Sequence, residues 1–192
     1  MSKQILIVQG HPASDSLCEA LASAYAQGAR ESGHSVVTLR LREMRFDPVL
    51  HAGYAALQPL EPDLVAAQAA IVGADHIVLV YPTWWGGTPA LLKGFLDRTL
   101  LPGFAFKYRA GSPWWDRLLT GRSAHVITTM DTPPWYYRLR YGDAGIRQLR
   151  HAVLEYCGVR PVRVTRVGRV KEASARRIER WLGAARRAGA EA

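Results

Sequence analysis

The stretch YPTWWGGTPALLKGFLDR, residues 81–98, places two adjacent tryptophans and two glycines between an apolar strand and a helix. Thr88 is a good N-cap and Pro89 a good first helical residue, so the helix is predicted to start there. Large rings beside bare backbone suit a planar, conjugated ligand, which can stack on an indole and hydrogen-bond to main-chain groups. Packing of Trp84 and Trp85 in the core or at a dimer interface explains the same residues, and the stretch alone leaves both interpretations open.

Strand-like and helical patterns alternate on both sides of this stretch. Continuous apolar runs indicate strands that are covered on both faces, and the alternation indicates parallel strands joined by right-handed crossovers. The sequence therefore predicts a single α/β domain over residues 1–192. The predicted strands are 4–9, 35–41, 76–82, 124–130 and 160–168, and the predicted helices are 16–31, 63–72, 89–100, 143–157 and an arginine-rich helix after residue 168.

The composition narrows the class of protein. The formal net charge is +9, but much of the excess lies in 136–150 and 160–187, where arginines form solvated faces, so no nucleic-acid partner is expected. Cys18 and Cys157 are the only cysteines, which argues against a disulfide framework or a Cys-rich zinc site, and no metal site is expected. No apolar run approaches the length of a membrane helix and no signal peptide is recognisable, so we expect a cytoplasmic protein without membrane insertion.

Three unusual loops follow strands at the edge where ligands of open α/β sheets bind, namely 10–16, 82–88 and 129–142. The first, within VQGHPASDSLCEAL, has neither the GK[ST] of a Walker loop nor a second glycine. Its helix N-terminus, with donors from His11 and Ser16, suits a phosphate. Capping of the helix by Ser14 or Asp15 is the alternative, and capping and binding are compatible.

Two motifs at this spacing, GHPASDSLCEAL and YPTWWGGTPALLKGFLDR, resemble the NAD(P)H:quinone oxidoreductase family of flavodoxin-like flavoproteins. The similarity continues through LPGFAFKY, HVITTM and YGD. The resemblance implies a flavodoxin-like fold, with a five-stranded parallel sheet of order 2-1-3-4-5 and helices on both faces. It also implies a homodimer that holds FMN or FAD and passes hydride from NAD(P)H to quinones or similar acceptors in two-electron, ping-pong steps.

Site residues follow from the same resemblance. Tyr136 and Tyr141 fall near a tyrosine and a histidine that assist charge movement in the family, and a tyrosine cannot become a cation as histidine can. Phe106 and Tyr108 correspond to aromatics that reach over the partner's flavin, and packing beneath their own loop is the alternative. The flavin-binding residues implied are His11, Ser16, Leu17, Cys18, Pro82, Thr83, Trp84, Trp85, Gly86, Thr129, Met130 and Asp131. Met130 and Asp131 depart from the family, which often has two glycines there.

The residues themselves favour one of the two cofactors and indicate where the dimer interface lies. The first loop offers one helix N-terminus and no lysine or arginine for a pyrophosphate, which favours FMN over FAD. The segment 101–118 is aromatic and lacks a helical period, so we expect it at the dimer interface. Two other functions are compatible with the fold: an electron-transfer flavodoxin, which the basic composition disfavours, and an ancillary subunit of a membrane transport system, which no residue specifically requires.

Overall fold

The computed structural model describes residues 2–192, which form one main sheet and a separate hairpin. Five parallel strands lie in the order β2-β1-β3-β6-β7, so the predicted order 2-1-3-4-5 is confirmed once the hairpin strands β4 and β5 are set aside. The strands are β1 (Gln4–Gln9), β2 (Ser35–Arg40), β3 (His76–Pro82), β4 (Phe106–Tyr108), β5 (Trp115–Arg117), β6 (Ser123–Met130) and β7 (Val162–Gly168). The helices are α1 (Leu17–Glu31), α2 (Pro62–Gly73), α3 (Ala90–Thr99), α4 (Pro134–Arg140), α5 (Ala144–Arg147), a π-helical turn (Gln148–Leu154), α6 (Glu155–Cys157), α7 (Ala175–Ala190) and a 3-10 turn (Leu41–Glu43).

Helices cover both faces of the sheet, as the strand composition predicts. Every residue of β3 is buried, which requires apolar cover on either side. One face packs against α1 and α7 through Ile7, Leu21, Tyr25, Val78, Val80 and Ala185. The other packs against α2, α3 and the segment Gln148–Cys157 through Leu64, Ala67, Leu79, Phe95, Leu149 and Leu154.

The α1 and α7 backbones approach closely at two glycines. A Cβ atom on Gly28 would lie 1.9 Å from the carbonyl oxygen of Arg186, and one on Gly189 would lie 2.1 Å from that of Tyr25. No side chain larger than hydrogen fits at either position, so the two helices can pack this closely only because both residues are glycine.

A buried arginine holds the long segment between β2 and α2. Arg98 of α3 is fully buried, and its guanidinium donates to the carbonyl oxygens of Asp47 and Pro59 at 2.6 and 2.9 Å. It also pairs with the Glu61 carboxylate at 2.9 Å. Gly94, one turn earlier on α3, touches Pro48 so closely that a Cβ would lie 2.4 Å from the proline ring. Residues 44–61, although irregular, are therefore anchored to α3.

The structure corrects several predicted boundaries. The segment 129–142, predicted to be a loop, contains the helix α4, which is introduced by Pro133 and Pro134. The helix predicted at 143–157 is interrupted by the π-helical turn. The helix α3 begins at Ala90 with Pro89 in the capping position and no side-chain cap, so the assignment of Thr88 as N-cap was wrong by one residue. Among residues 2–192 there is no helix with the length and apolar character needed to cross a membrane.

Candidate functional site

The carboxyl ends of β1, β3 and β6 lie side by side, and the loops that follow them meet at one edge of the sheet. The first of these loops turns close to the sheet: Gly10 donates its N–H to the carbonyl oxygen of Val80 at 2.8 Å, and a Cβ on Gly10 would lie 3.2 Å from Leu92. A larger residue at position 10 would push this loop away from the strand ends.

The first loop presents hydrogen-bond donors at the start of α1. The Nδ1 atom of His11 accepts the N–H of Ala13 at 3.0 Å, so in the neutral ring the proton lies on Nε2, which is left as a donor. Ser16, rather than Ser14 or Asp15, is the N-cap, because its Oγ accepts the N–H of Glu19 at 3.2 Å. Its hydroxyl hydrogen and the first N–H groups of the helix remain available to an anion.

Cys18 and Thr129 join the first loop to the third. The Sγ atom of Cys18 lies 3.3 Å from Oγ1 of Thr129. Burial raises the pKa of the Cys18 thiol to about 11, so the group is a neutral packing partner. The backbone of Thr129 reaches the second loop as well, because its carbonyl oxygen accepts the N–H of Thr83 at 2.7 Å. The hydroxyls of Thr83 and Thr128, 2.7 Å apart, add a second link.

The tryptophan loop is a tight hairpin turn from Trp84 to Gly87. These two residues exchange N–H···O bonds of 3.1 and 2.9 Å, and both central residues have positive φ, +50° at Trp85 and +76° at Gly86. This is the pattern of a type I′ turn, whose first central position normally holds Asn, Asp or Gly. Trp84 lies edge-on to His11, with ring centroids 5.7 Å apart, whereas Trp85 is fully exposed.

Tyr137, which no sequence motif marks, connects the third loop to this turn. Its hydroxyl donates to the carbonyl oxygen of Gly86 at 2.7 Å and accepts the N–H of Gly145 at 3.1 Å. The side chain is buried, and burial raises the pKa of its phenol.

The segment after α4 is fixed by an ion pair between residues that no sequence motif connects. Arg166 of β7 donates two hydrogen bonds to the Asp143 carboxylate, at 2.6 and 3.1 Å. Asp143 has φ +53° and is the N-cap residue of α5. The predicted catalytic residues lie beside this anchor: the rings of Tyr136 and Tyr141 meet edge-on at 5.7 Å, and both are partly exposed.

Several predicted site residues face elsewhere. Met130 is buried against Tyr137 and Ile146. Asp131 accepts the N–H of Lys171 at 3.0 Å and so points towards the end of β7. Neither side chain is directed at the turn from Trp84 to Gly87.

The predicted pocket residues lie on the β4–β5 hairpin. Phe106 packs edge-on against Tyr156 at 5.1 Å and is buried, so the packing alternative describes it better. Tyr108 is 64% exposed and lines a surface cavity of about 290 Å³ together with Tyr54. Of the two predicted pocket residues, Tyr108 is therefore the one that is open to a partner.

The remaining predicted residues, Pro82 and Leu17, lie near the carboxyl ends of the strands. Pro82 ends β3 opposite Thr129, and Leu17 is partly buried at the start of α1. Nowhere in residues 2–192 do three histidine, cysteine or carboxylate side chains cluster as metal ligands would.

The arrangement fits a flavin. A phosphate matches the α1 N-terminus with the Nε2 donor of His11 and the hydroxyl of Ser16. A planar ring matches the turn, because a Cβ built on Gly86 meets no atom within 4 Å and the backbone there is open to approach.

Comparisons with known proteins agree with this geometry. Residues 3–188 match the family model described as flavodoxin-like fold. The chain is 34% identical over 164 residues to a Haemophilus influenzae protein named an uncharacterized NAD(P)H oxidoreductase, spanning 82% of this chain and 79% of that one. It is 29% identical over 126 residues to rat NAD(P)H dehydrogenase [quinone] 1, a match that covers 55% of this chain and 46% of the rat protein.

A solved structure shows the same similarity. The NAD(P)H:quinone oxidoreductase of Methanothermobacter marburgensis superposes with a TM-score of 0.82 at 26% identity, covering 100% of this chain and 97% of that one. The family expected from the two motifs is thereby confirmed, and the chain belongs to the flavodoxin-like NAD(P)H:quinone oxidoreductase family.

Proposed function

We propose that this chain is a flavin-dependent NAD(P)H oxidoreductase that reduces quinones or similar small acceptors by two electrons. The observation that carries the proposal is that three loops contact one another at the carboxyl ends of β1, β3 and β6. In these contacts the Trp84 ring lies edge-on to His11, and the Cys18 thiol lies against the Thr129 hydroxyl. Family membership supports the same reaction, since relatives are named for it.

A flavin would supply the redox chemistry of the site, the transfer of hydride from NAD(P)H to a second substrate. The protein would hold the flavin and orient its ring. His11 Nε2–H, the Ser16 hydroxyl and the α1 N-terminus would bind the terminal phosphate. The turn at Trp84–Gly87 would line the ring with an indole and with main-chain groups, and Leu17, Pro82, Thr83 and Thr129 would border it.

Tyr136 and Tyr141 are the polar side chains proposed to meet the acceptor. Each presents a phenol that donates a hydrogen bond to negative charge developing on ring or acceptor. Since neither phenol takes up a proton to become a cation, we propose that this enzyme stabilises charge by hydrogen bonding alone at the position of Tyr141.

FMN is the proposed cofactor, in preference to FAD. The arginines nearest to the first turn of α1 are already engaged, since Glu19 accepts from Arg40 at 3.0 Å and from Arg42 at 2.7 Å. Burial alone would raise the pKa of Glu19, but these hydrogen bonds lower it, so the carboxylate stays charged and paired. Little positive charge is left there for a second phosphate.

The test is a flavin titration of the stripped protein. We expect FMN to bind at one site per chain and to bleach rapidly with NAD(P)H in a stopped-flow experiment. Ser16→Ala is expected to weaken FMN binding about tenfold. Ser174→Ala is the matched control, because Ser174 precedes α7 and makes no side-chain cap. A colourless protein that takes up neither flavin would contradict the proposal, and a tenfold preference for FAD would overturn only the choice of FMN.

The two alternative functions give different outcomes. A flavin that is reduced by other electron donors but not by NAD(P)H would identify an electron-transfer flavodoxin. Co-purification with a membrane transport protein, with turnover dependent on it, would identify an ancillary subunit. We propose a cytoplasmic location, which a fluorescent fusion concentrated at the envelope would contradict.

A homodimer is proposed with the segment 101–118 in its interface. Trp114 and Tyr108 are 66% and 64% exposed on the β4–β5 hairpin, and Tyr54 is exposed across the cavity from Tyr108. Exposed aromatic surface of this kind is typical of interfaces. Sedimentation at micromolar concentration should show twice the 21.3 kDa chain mass, and Trp114→Ser should shift the equilibrium towards monomer; a monomer in the unmutated protein would contradict the proposal.

A further inference from the structure

The turn at Trp84–Gly87 holds a conformation that its own sequence disfavours. Trp85 has φ +50°, a left-handed value that is unfavourable for a bulky side chain. The indole of Trp85 is fully exposed, so it gains no packing that would offset the strain. Something outside the turn must therefore hold it in place.

The contacts of Gly86 identify that restraint. Its carbonyl oxygen accepts two hydrogen bonds, from the Tyr137 hydroxyl at 2.7 Å and from the Gly145 N–H at 3.1 Å. The Gly145 N–H also lies 3.1 Å from the Tyr137 oxygen, which orients the hydroxyl hydrogen towards Gly86. Only glycine fits at position 145, because a Cβ there would lie 2.4 Å from the same carbonyl oxygen.

The phenol itself is well fixed. Tyr137 is 2% exposed and packs against Met130 and Ile146. Its backbone carbonyl accepts the N–H groups of Tyr141 and Asp143, at 3.1 and 3.3 Å. Asp143 is in turn held by Arg166 of the sheet. A continuous set of contacts thus runs from β7 through Tyr137 to the carbonyl group of Gly86.

We propose that Tyr137 is a positioning residue that holds the carbonyl group of Gly86 and thereby keeps the Trp84–Gly87 turn in its left-handed form. The role concerns the shape of the turn, so it exists with or without a ligand. It also deepens the proposed function, because the turn presents Trp84 and the main chain of Trp85 and Gly86 to the flavin ring. Loss of the hydroxyl would leave the Gly86 carbonyl with the Gly145 N–H as its hydrogen-bond donor, so the peptide would rotate more freely and the turn would hold that surface less firmly.

The first test uses the protein without flavin. Tyr137→Phe removes one hydroxyl and keeps the buried ring. We expect amide hydrogen exchange at Gly87, whose N–H closes the turn, to accelerate about tenfold. Tyr25→Phe is the matched control, because Tyr25 is equally buried and its hydroxyl lies 3.1 Å from His76 at the opposite end of β3. Tyr25→Phe should change the rate of amide exchange at Gly87 only by the amount that its effect on the free energy of global unfolding accounts for. Equal exchange at Gly87 in the two variants would overturn the proposal.

A second test asks whether Tyr137 acts against the strain at Trp85. In a Trp85→Gly background the turn adopts positive φ without strain, so adding Tyr137→Phe should accelerate exchange at Gly87 several-fold less than it does beside Trp85. Full additivity of the two substitutions would contradict the proposed role.

Flavin titration then connects the turn to binding. Tyr137→Phe is expected to weaken FMN binding about tenfold and Tyr25→Phe to leave it unchanged. If the protein bound no flavin, the proposed function would fail, whereas the exchange results would still decide the role of Tyr137. If FMN bound equally well to Tyr137→Phe while exchange rose, the turn would be held by Tyr137 but the claim that it shapes the flavin site would be overturned.

Discussion

The Sγ atom of Cys18 lies 3.3 Å from the Oγ1 atom of Thr129, so the first turn of α1 is in direct contact with the end of β6. Between these elements the thiol is buried, and burial raises its pKa to about 11. The contact makes Cys18 part of the framework of the proposed flavin site rather than a reactive group.

The first prediction follows from this burial. At pH 8 roughly one thiol in a thousand is ionised when the pKa is about 11, and the thiolate is the reactive form. Native protein should react with a disulfide reagent such as DTNB at less than a hundredth of the rate seen in 6 M urea. Cys157, with its pKa also raised to about 11 by burial, should behave alike. Fast reaction of one thiol, removed by Cys18→Ala, would contradict the packing described.

Two buried histidines predict a loss of stability in mild acid. Burial, with smaller effects from neighbouring positive charge, lowers the pKa values of His76 and His125 from 6.5 to about 4. The unfolded chain therefore binds protons that the folded chain does not as pH falls below 6.5. These histidines leave the free energy of unfolding unchanged above pH 6.5. Between pH 6.5 and pH 4 they lower it, by on the order of 3 kcal/mol for each histidine.

The measurement is the urea midpoint between pH 7 and pH 4. His125→Gln keeps a donor near Thr165 Oγ1, which lies 2.8 Å from the histidine Nε2. This variant should reduce the fall in the urea midpoint between pH 7 and pH 4 by about half. A midpoint that does not fall in this range in the unmutated protein would contradict burial of neutral histidines.

The α1–α7 crossing predicts opposite effects for two glycine substitutions in helices. Gly28→Ala places a methyl group where the Arg186 carbonyl lies, so we expect a loss of about 1–3 kcal/mol in unfolding free energy. Gly183→Ala is the matched control: its Cβ would make only an ordinary contact, 3.6 Å from an Arg187 nitrogen, and better helix propensity should raise stability by up to about 1 kcal/mol. Thermal denaturation of both variants checks this, and equal effects would show that the crossing is looser than described.

Removal of the buried guanidinium of Arg98 should loosen the segment 44–61. Arg98→Met removes the guanidinium that donates to the Glu61 carboxylate and to two carbonyl groups, which we expect to lower the unfolding free energy by roughly 3 kcal/mol. Limited proteolysis should then cut first within 44–61. Arg109→Met, which breaks the exposed pair with Asp116, should cost less than about 1 kcal/mol and leave the digestion pattern unchanged.

The sequence predicted the parts of the fold that depend on local pattern. The apolar runs of β1, β3 and β6 and the three loops after them were found because each signal lies within a few neighbouring residues. The strand order followed from the family resemblance. The helix α4 was missed because seven residues, Pro134–Arg140, give too few turns for a helical period.

What escaped prediction depends on pairs distant in sequence. Tyr137 meets Gly86, and Arg166 meets Asp143, across separate loops, so no local motif marks either pair. For Phe106 the sequence left packing beneath its own loop as one of two interpretations, and the contact with Tyr156, distant in sequence, decides in favour of packing. Where the side chains of Met130 and Asp131 lie also depends on distant residues, because Met130 packs against Tyr137 and Ile146 and Asp131 accepts the N–H of Lys171.

The glycine crossing of α1 and α7 also sets when the protein can finish folding during synthesis. Translation produces α1 well before α7, and Gly28 receives its neighbour only when α7, residues Ala175–Ala190, has left the ribosome. Until then one side of Leu21 and Tyr25 stays open to water, and contacts so distant in the chain form late. Growing chains stalled before residue 175 should therefore be clients of chaperones that bind apolar surface, and full-length chains should be released from them.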